Sequence, residues 1–268
     1  MARYYYLPSV RLCCLWSPKV GCTTLSNWLV RGILGNTTVR APREYLFESG
    51  FRYDLSQIQS LYSDGSIENF VITTRDPYDR FVSCFVNKFI NGFGRPILEL
   101  EDMETNGRDI LRRERLGFNW RGRFVGASFR ELLAATLQSL AKGKSVNDHA
   151  GPQIESDDEL EFIRSLGPAA RFVDVRQFSE SLSDITLSLG FKHRPCIPHC
   201  NKSSEGQGWV RDGSVGNERV RSRDFAQQRR IPTRDSLFTD SLSARFRAAF
   251  EKDFELFGLC SAPLKRCG

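Results

Sequence analysis

The chain has 268 residues, of which 40% are hydrophobic, so it is long and apolar enough to bury a core, and a disordered protein is excluded. Lysine and arginine number 38 against 32 acidic residues, and this net charge of +6 is compatible with an anionic ligand. The chain has no continuous apolar run of the roughly 18 residues that a membrane span needs, and its first 16 residues do not have the pattern of a signal peptide.

The first predicted unit is a strand, a tight loop and a helix. Residues 12–16 form a continuous apolar run, which is typical of a strand buried on both faces. A turn over residues 18–24 follows, where Thr23 or Thr24 is expected to cap the next helix. That helix carries an apolar stripe and is expected to end at Gly35.

A second unit of the same kind begins further along the chain, after residues 36–66, which carry few clear signals. Residues 70–74 are rich in β-branched side chains and predict a buried strand. Asp76 is expected to cap the following helix, with Pro77 at its first position and Phe89 near its end. Residues 91–123 contain much glycine, arginine and glutamate and predict an irregular segment.

The rest of the chain continues the alternation of helices and strands. A buried strand is predicted at 171–175. Buried strands that alternate with helices predict an α/β fold, with a central parallel sheet covered on both faces in three α/β/α layers. The other predicted segments are a helix at 129–140, a polar loop at 143–158, a helix at 182–189, a mobile flap at 201–224 and a final helix at 242–257.

The loop after the first strand has the character of an anion site. Backbone N–H groups at a helix N-terminus point towards a bound anion, and the helix dipole adds positive potential. Lys19 adds a full charge, Gly21 allows close approach of the backbone, and the Thr23 and Thr24 hydroxyls can donate to phosphate oxygens. The loop lacks the Gly-Lys-Ser/Thr triplet of a Walker motif. Taken alone, the pattern also fits an ordinary turn with a surface lysine.

A second anion-binding pair follows the second strand. Arg75 lies at the predicted carboxyl end of the strand, where ligands of open parallel sheets collect. Ser83 lies about two helical turns further on, on a face that can turn back towards Arg75. A guanidinium fork with a hydroxyl suits a terminal phosphate monoester, although a salt bridge from Arg75 to Asp79 is an alternative.

Together these segments resemble the sulfotransferases that use 3′-phosphoadenosine-5′-phosphosulfate (PAPS). Within that family the chain is most similar to the Golgi carbohydrate branch with the chondroitin and HNK-1 enzymes. Six stretches match in the family's order, although Ala150 stands where that branch has tryptophan. The matching stretches are 18–24, 75–83, 129–133 (Phe-Arg-Glu-Leu-Leu), 148–153 (Asp-His-Ala-Gly-Pro-Gln), 198–203 (Pro-His-Cys-Asn-Lys-Ser) and 253–258 (Asp-Phe-Glu-Leu-Phe-Gly).

The resemblance implies a single sulfotransferase domain over residues 1–268 with a P-loop NTPase-like fold. It implies in-line transfer from PAPS to a hydroxyl acceptor, expected to be a carbohydrate, with release of 3′,5′-ADP and no metal. Lys19 would be catalytic and His149 the general base, with Glu44, Asp148 and Glu155 as competing bases. The 5′-phosphosulfate would bind to Pro18, Lys19, Val20, Gly21, Cys22, Thr23 and Thr24, and the 3′-phosphate to Arg75 and Ser83.

Two other functions fit parts of the same pattern. A nucleotide kinase-like phosphotransferase would share the strand, loop and helix, but it needs a Gly-Lys-Ser/Thr loop and acidic Mg²⁺ ligands. A non-catalytic protein that binds anions or nucleotides would share the arginine content. The arginines are dispersed and no basic-aromatic motif occurs, so no nucleic-acid partner is expected.

The cysteine and histidine pattern favours reduced thiols and no metal. His193, Cys196, His199 and Cys200 fall within eight residues that also hold two prolines, whereas zinc sites usually draw ligand pairs from separate turns. Of the eight cysteines, the Cys260 and Cys267 pair is the one expected to be able to bridge. A cytoplasmic location without membrane insertion is expected, with the Golgi lumen as the alternative if a membrane anchor has been removed.

Overall fold

A computed structural model describes residues 3–90, 126–144, 146, 149–192 and 209–261. The chain divides into two compact units. The sheet unit comprises residues 1–75, 153–201 and 255–268, and the helical unit comprises residues 76–152 and 202–254. The expectation of a single domain stays a prediction.

The sheet unit is built on a five-stranded sheet of order β3-β1-β2-β4-β5. Strand β2 pairs in parallel with β4, which pairs in parallel with β5, whereas β1 is antiparallel to both β2 and β3. The expected wholly parallel sheet is therefore wrong, and the sheet is mixed. Its strands are β1 (Tyr4–Leu7), β2 (Leu12–Leu15), β3 (Arg52–Tyr53), β4 (Asn69–Thr74) and β5 (Ala170–Asp174).

The short connection between β1 and β2 explains the antiparallel pair. A 3₁₀ turn at Pro8–Val10 and Arg11, whose φ is 50°, reverse the chain directly. A hairpin of this length joins antiparallel neighbours, because parallel neighbours require a long crossover. The connections from β2 to β4 and from β4 to β5 contain helices, and those pairs are parallel.

The helices of the described residues follow the predicted pattern in most places. The bounds are α1 (Cys22–Asn27), α2 (Pro42–Glu48), α3 (Leu55–Ser63), α4 (Pro77–Phe85), α5 (Phe129–Ala141), α6 (Asp157–Ser165), α7 (Phe178–Ser188), α8 (Ser222–Gln228), α9 (Arg234–Leu237), α10 (Asp240–Ala249) and α11 (Glu251–Ser261). Single π-helical segments, Trp28–Ile33 and Val86–Ile90, continue α1 and α4.

Successive side chains of a strand point to opposite faces of the sheet, and apolar strand residues lie on both faces. Tyr5 and Cys14 belong to the cluster that also holds apolar residues of α1, α2 and α7. Tyr4 and Cys13 belong to the second cluster, with residues of α3, α6 and α11. Burial raises the pKa of the Cys13 and Cys14 thiols, which form no disulfide within the described residues. Helices thus cover both faces of the sheet unit.

The helical unit has an aromatic core of its own. Phe81 meets Phe129 edge-on, with ring centroids 5.5 Å apart, and Phe246 at 5.3 Å. Each of these three rings is at most 2% exposed. The unit also holds a parallel pair of short strands, β6 (Val210–Asp212) and β7 (Arg230–Pro232).

One predicted segment differs from the structure, and two others contain elements that the sequence did not predict. The final helix of 242–257 is two helices, α10 and α11, which meet at Phe250, where the backbone leaves the helical region with ψ of 24°. The expected flap of 201–224 contains β6 and the start of α8 in its described part. Residues 36–66, which carry few clear signals, form α2, β3 and α3.

Candidate active site

The loop at the carboxyl end of β2 is the centre of the site. Pro18 and Val20 are buried, whereas Lys19 and Gly21 are partly exposed. Both exposed residues have left-handed backbones, with φ of 65° at Lys19 and 72° at Gly21. A lysine in this conformation costs about 1–2 kcal/mol relative to the right-handed region. Strain of this kind clusters at functional sites, so the position of Lys19 agrees with a functional loop.

Helix α1 begins directly after this loop. Gly21 occupies the N-cap, and its carbonyl accepts the first helical hydrogen bond from the Leu25 N–H at 2.9 Å. The expectation that Thr23 or Thr24 caps the helix is wrong, because the left-handed Gly21 already turns the chain one step earlier. Thr24 is buried, and Cys22 and Thr23 are partly exposed. The first N–H groups of a helix have no intrahelical acceptor, so this end can bind an anion.

Arg75 braces the loop from the neighbouring strand. It follows β4, and its Nη1 donates a hydrogen bond to the Lys19 carbonyl oxygen at 3.0 Å. The structure therefore brings together Lys19 and Arg75, two residues that the sequence predicts for the site. Asp79, the alternative partner predicted for Arg75, lies in the first turn of α4 in the helical unit, where its backbone N–H donates to the Asp76 carboxylate at 3.1 Å.

Phe178 is a site residue that the sequence reasoning missed. It is the first residue of α7 and is 2% exposed. A Cβ atom built at Gly21 would overlap its ring, so the aromatic side chain lies directly against the loop backbone. Gly21 thus makes room for a neighbouring ring. The sequence offers two signals, Gly21 itself and the change from strand to helix after β5. Neither signal predicts that Gly21 and Phe178 are in contact.

The predicted start of α4 is confirmed, and it carries Ser83. The Asp76 side chain caps the helix, and Pro77 takes its first position. Ser83 is 5% exposed, and its hydroxyl oxygen lies 3.5 Å from the Asn87 amide nitrogen, which donates to it. The hydroxyl is therefore held within the helical unit.

The segment that carries His149 is fixed by a buried ion pair. Arg80 of α4 donates a hydrogen bond to the Gly151 carbonyl and lies 3.4 Å from the Asp253 carboxylate. The two charged side chains are only 4% and 2% exposed. His149 itself is partly exposed, with a buried Nδ1. Arg80 belongs to the matched stretch 75–83 and Asp253 to the matched stretch 253–258. These two stretches therefore support a third one, 148–153, which carries His149.

Comparison with known families adds to this geometry. The chain matches the family model described as "Sulfotransferase family" over residues 10–259, nearly its whole length. It belongs to the sulfotransferase family. Nothing among the curated proteins or the solved structures matches the chain.

Gln153, the last residue of the matched stretch 148–153, is held by hydrogen bonds within the sheet unit of this sulfotransferase. The side-chain amide of Gln153 donates to the Thr73 carbonyl of β4 at 2.7 Å, and the backbone carbonyl of Gln153 accepts from Arg3. Arg3 pairs with Glu159, which accepts a further bond from Tyr4 at 2.8 Å. Burial and the Glu159 carboxylate raise the pKa of the Tyr4 hydroxyl.

Two of the alternative bases that the sequence predicts for the sulfotransferase lie in the sheet unit. Glu155 is half-exposed beside Arg3, at 3.6 Å, and Glu44 is exposed on α2. Asp148, His193, Cys196, His199, Cys200 and Cys267 lie outside the described residues. Over the ranges that the structure describes, no group of three or more His, Cys, Asp or Glu side chains is arranged to hold a metal ion. Nor does any helix in those ranges combine the length and apolar character of a membrane span.

Proposed function

We propose that this sulfotransferase transfers a sulfuryl group from PAPS to a carbohydrate hydroxyl and releases 3′,5′-ADP. The observation that carries the proposal is the strained Lys19 loop at the carboxyl end of β2, in a chain that matches the family over residues 10–259. An anionic phosphosulfate suits this loop, because a lysine, a left-handed backbone and a helix N-terminus occur within five residues.

In this proposal Lys19 is the catalytic cation. PAPS supplies an activated sulfuryl group, and its in-line transfer leaves negative charge on the departing phosphate oxygen. Lys19 neutralises that charge, which counts most in the transition state. The backbone of 18–22 and the hydroxyls of Thr23 and Thr24 hold the 5′-phosphate, as the motif match implies.

Arg75 and Ser83 are proposed to bind the 3′-phosphate. A guanidinium carries five N–H donors, so Arg75 can hold the Lys19 carbonyl with one and a phosphate oxygen with others. This double contact would couple the loop geometry to donor binding. The Ser83 hydroxyl can donate to the same phosphate, while it accepts from Asn87.

His149 is proposed as the general base for the acceptor hydroxyl. An imidazole titrates near neutral pH, so its neutral form can accept the hydroxyl proton during attack. The hydrogen bond from Arg80 to the Gly151 carbonyl holds the backbone two residues beyond His149, which limits movement of the imidazole.

The test is transfer from radiolabelled PAPS to a panel of glycans and small alcohols. We expect Lys19→Ala to lower kcat by about 10²–10³-fold without loss of the fold. Lys142→Ala, an exposed lysine at the end of α5, is the matched control and should keep wild-type turnover. Near-normal turnover of Lys19→Ala would refute its role. Stabilisation by ATP and Mg²⁺ but not by 3′,5′-ADP would replace the proposal with a phosphotransferase.

A further inference from the structure

Two exposed valines lie close together in the sequence of the helical unit. Val215 is 101% exposed and Val210 is 65% exposed. Among the large apolar side chains of the described residues, only Leu187 is also exposed, at 39%. A single exposed apolar side chain is common on protein surfaces. Two of them within six residues indicate a surface that contacts something apolar.

The segment around these valines carries most of the net charge of the chain. Residues 209–234 contain seven arginines and three acidic residues, so these 26 residues account for +4 of the chain's net charge of +6. Two of the three acids, Asp212 and Glu218, are buried. Asp212 pairs with Arg230, and Glu218 contacts Arg219 at 3.3 Å. The exposed charges of this segment are therefore mainly positive.

Three arginines of the segment have no acidic partner. The side chains of Arg211, Arg223 and Arg229 are exposed and form no ion pair with any residue that the structure describes. Arg229 has a left-handed backbone, with φ of 51°, where the chain turns from α8 into β7. Exposed guanidinium groups without a carboxylate nearby are available to an anionic surface.

The strands β6 and β7 bring two of these arginines beside the first valine. Val210 is paired with Arg230, and its N–H donates to the Arg229 carbonyl at 2.9 Å. The next residue, Arg211, is paired with Ile231. The start of the strand pair therefore presents Val210 with an arginine on either side, one from each strand.

A well-bonded turn carries Val215 at the other end of β6. The Asp212 carboxylate accepts from the N–H and the hydroxyl of Ser214, at 2.9 Å and 2.5 Å. The Asp212 carbonyl accepts from the Asn217 side chain and the Ser236 hydroxyl, each at 3.1 Å. These hydrogen bonds fix the shape of the turn, so the fold itself holds Val215 outside the core.

Arg219 adds a charge next to this turn. Its N–H donates to the Gly216 carbonyl at 3.0 Å, which closes a single 3₁₀ turn directly after Val215. The Arg219 side chain is 72% exposed and contacts Glu218 through Nε, so its other donors can reach a second anion. The valine–arginine surface is defined as Val210, Arg211, Val215, Arg219 and Arg229.

We propose that the valine–arginine surface docks the protein on a membrane that contains anionic lipids. The arginines are attracted to the negative headgroups, and the two valines enter the boundary between headgroups and acyl chains. A soluble polyanion, such as a glycan chain or a nucleic acid, would satisfy the arginines but leave both valines in water. A fluid lipid surface accommodates a fully exposed turn without a preformed pocket. The inference goes beyond the proposed function and does not depend on it, because docking needs neither donor nor acceptor.

Sedimentation with lipid vesicles tests the proposal on the full chain. One set of vesicles contains phosphatidylcholine alone, and the other contains phosphatidylcholine with about one third phosphatidylserine. We expect the protein to bind the mixed vesicles at least tenfold more tightly, because each arginine near a negative lipid surface strengthens binding about fivefold. Added salt should weaken this binding. No binding to either set, or equal binding to both, would overturn the proposal.

A variant without the charges locates the surface. The triple change Arg211→Gln, Arg219→Gln and Arg229→Gln should weaken binding to the mixed vesicles about 100-fold. Arg40→Gln, an exposed arginine of the sheet unit, is the control and should change the affinity less than about twofold. If the triple variant binds like the wild type, another part of the chain contacts the lipid, and the proposal is wrong.

A variant without the apolar tip separates a membrane from other polyanions. Val215→Ser should weaken binding to the mixed vesicles about tenfold, whereas Leu187→Ser should bind like the wild type. Because Val215 is fully exposed, its replacement should leave the urea midpoint unchanged, so the loss of binding is not a loss of the fold. If the triple arginine variant loses binding and Val215→Ser keeps it, the surface recognises polyanions in general, and the lipid assignment is overturned.

Discussion

Replacing Gly21 by alanine tests the packing that shapes the Lys19 loop. The new Cβ meets two separate obstacles. The backbone has φ of 72°, where a side chain costs about 1–2 kcal/mol. The Cβ would also overlap the Phe178 ring, which is 2% exposed and has little room to move. Overpacking of this kind costs about 1–3 kcal/mol.

The total expected loss is about 2–5 kcal/mol, a large part of the stability of a typical domain. Gly35→Ala provides a matched control, because Gly35 has φ of 68° but no atom within 4 Å of a built Cβ. That control should show the backbone cost alone. The difference between the two variants therefore measures the overlap with Phe178.

Urea unfolding and 3′,5′-ADP affinity are the two measurements. We expect Gly21→Ala to unfold at lower urea than Gly35→Ala and to bind 3′,5′-ADP more weakly, since the loop must shift. Phe178→Ala alone should cost about 3–5 kcal/mol, but in the Gly21→Ala background it should cost about 1–3 kcal/mol less. Equal losses for the two glycine variants, with additive effects in the double variant, would refute the reasoning.

Three further outcomes are expected. Arg75→Ala should weaken 3′,5′-ADP binding at least tenfold, because it removes the proposed phosphate contact and the brace on the Lys19 carbonyl; unchanged calorimetric affinity would contradict this. Arg80→Met or Asp253→Leu alone should each lower the free energy of unfolding by about 3–5 kcal/mol, whereas the double variant should lose much less than the sum, and additive losses in urea would exclude a coupled pair. Burial raises the pKa of the Tyr5 hydroxyl to about 12 in the folded protein. Because the unfolded chain loses this proton at lower pH, the resulting stabilisation is complete below about pH 10 and is lost as the pH rises from about 10 to 12. Urea midpoints of Tyr5→Phe should therefore fall less over that range than those of the wild type, and parallel curves would count against the shift.

The loop, β4 and the start of α4 could be predicted because their signals are local. A continuous apolar run marks a buried strand, and the Asp76–Pro77 pair marks a helix start with a short-range mechanism. Lys19 and Arg75 follow the ends of such strands, and the sheet brings those ends together. Their proximity thus followed from the order of the elements.

Other features depend on contacts that are distant in sequence. β1 contains three consecutive tyrosines, which do not alternate in polarity, and it becomes a strand because it pairs on both sides. Phe178 lies 157 positions beyond Gly21, and no local pattern announces a contact between them. Arg43 and Arg52 likewise lie over the Trp16 ring only because α2 and β3 fold onto it.

The antiparallel course of β1 has a practical consequence for work on this protein. Tyr4 pairs with Leu15, and the Trp16 N–H donates to the Arg3 carbonyl at 2.7 Å, so β1 enters the sheet at the end where the Lys19 loop leaves it. A purification tag fused to the N-terminus would therefore be attached at the end of the sheet that carries the Lys19 loop. An acidic tag there would compete with the anionic donor for Lys19 and Arg75, and a polyhistidine tag would crowd the loop. Acceptor screens are therefore best run after cleavage of any such tag.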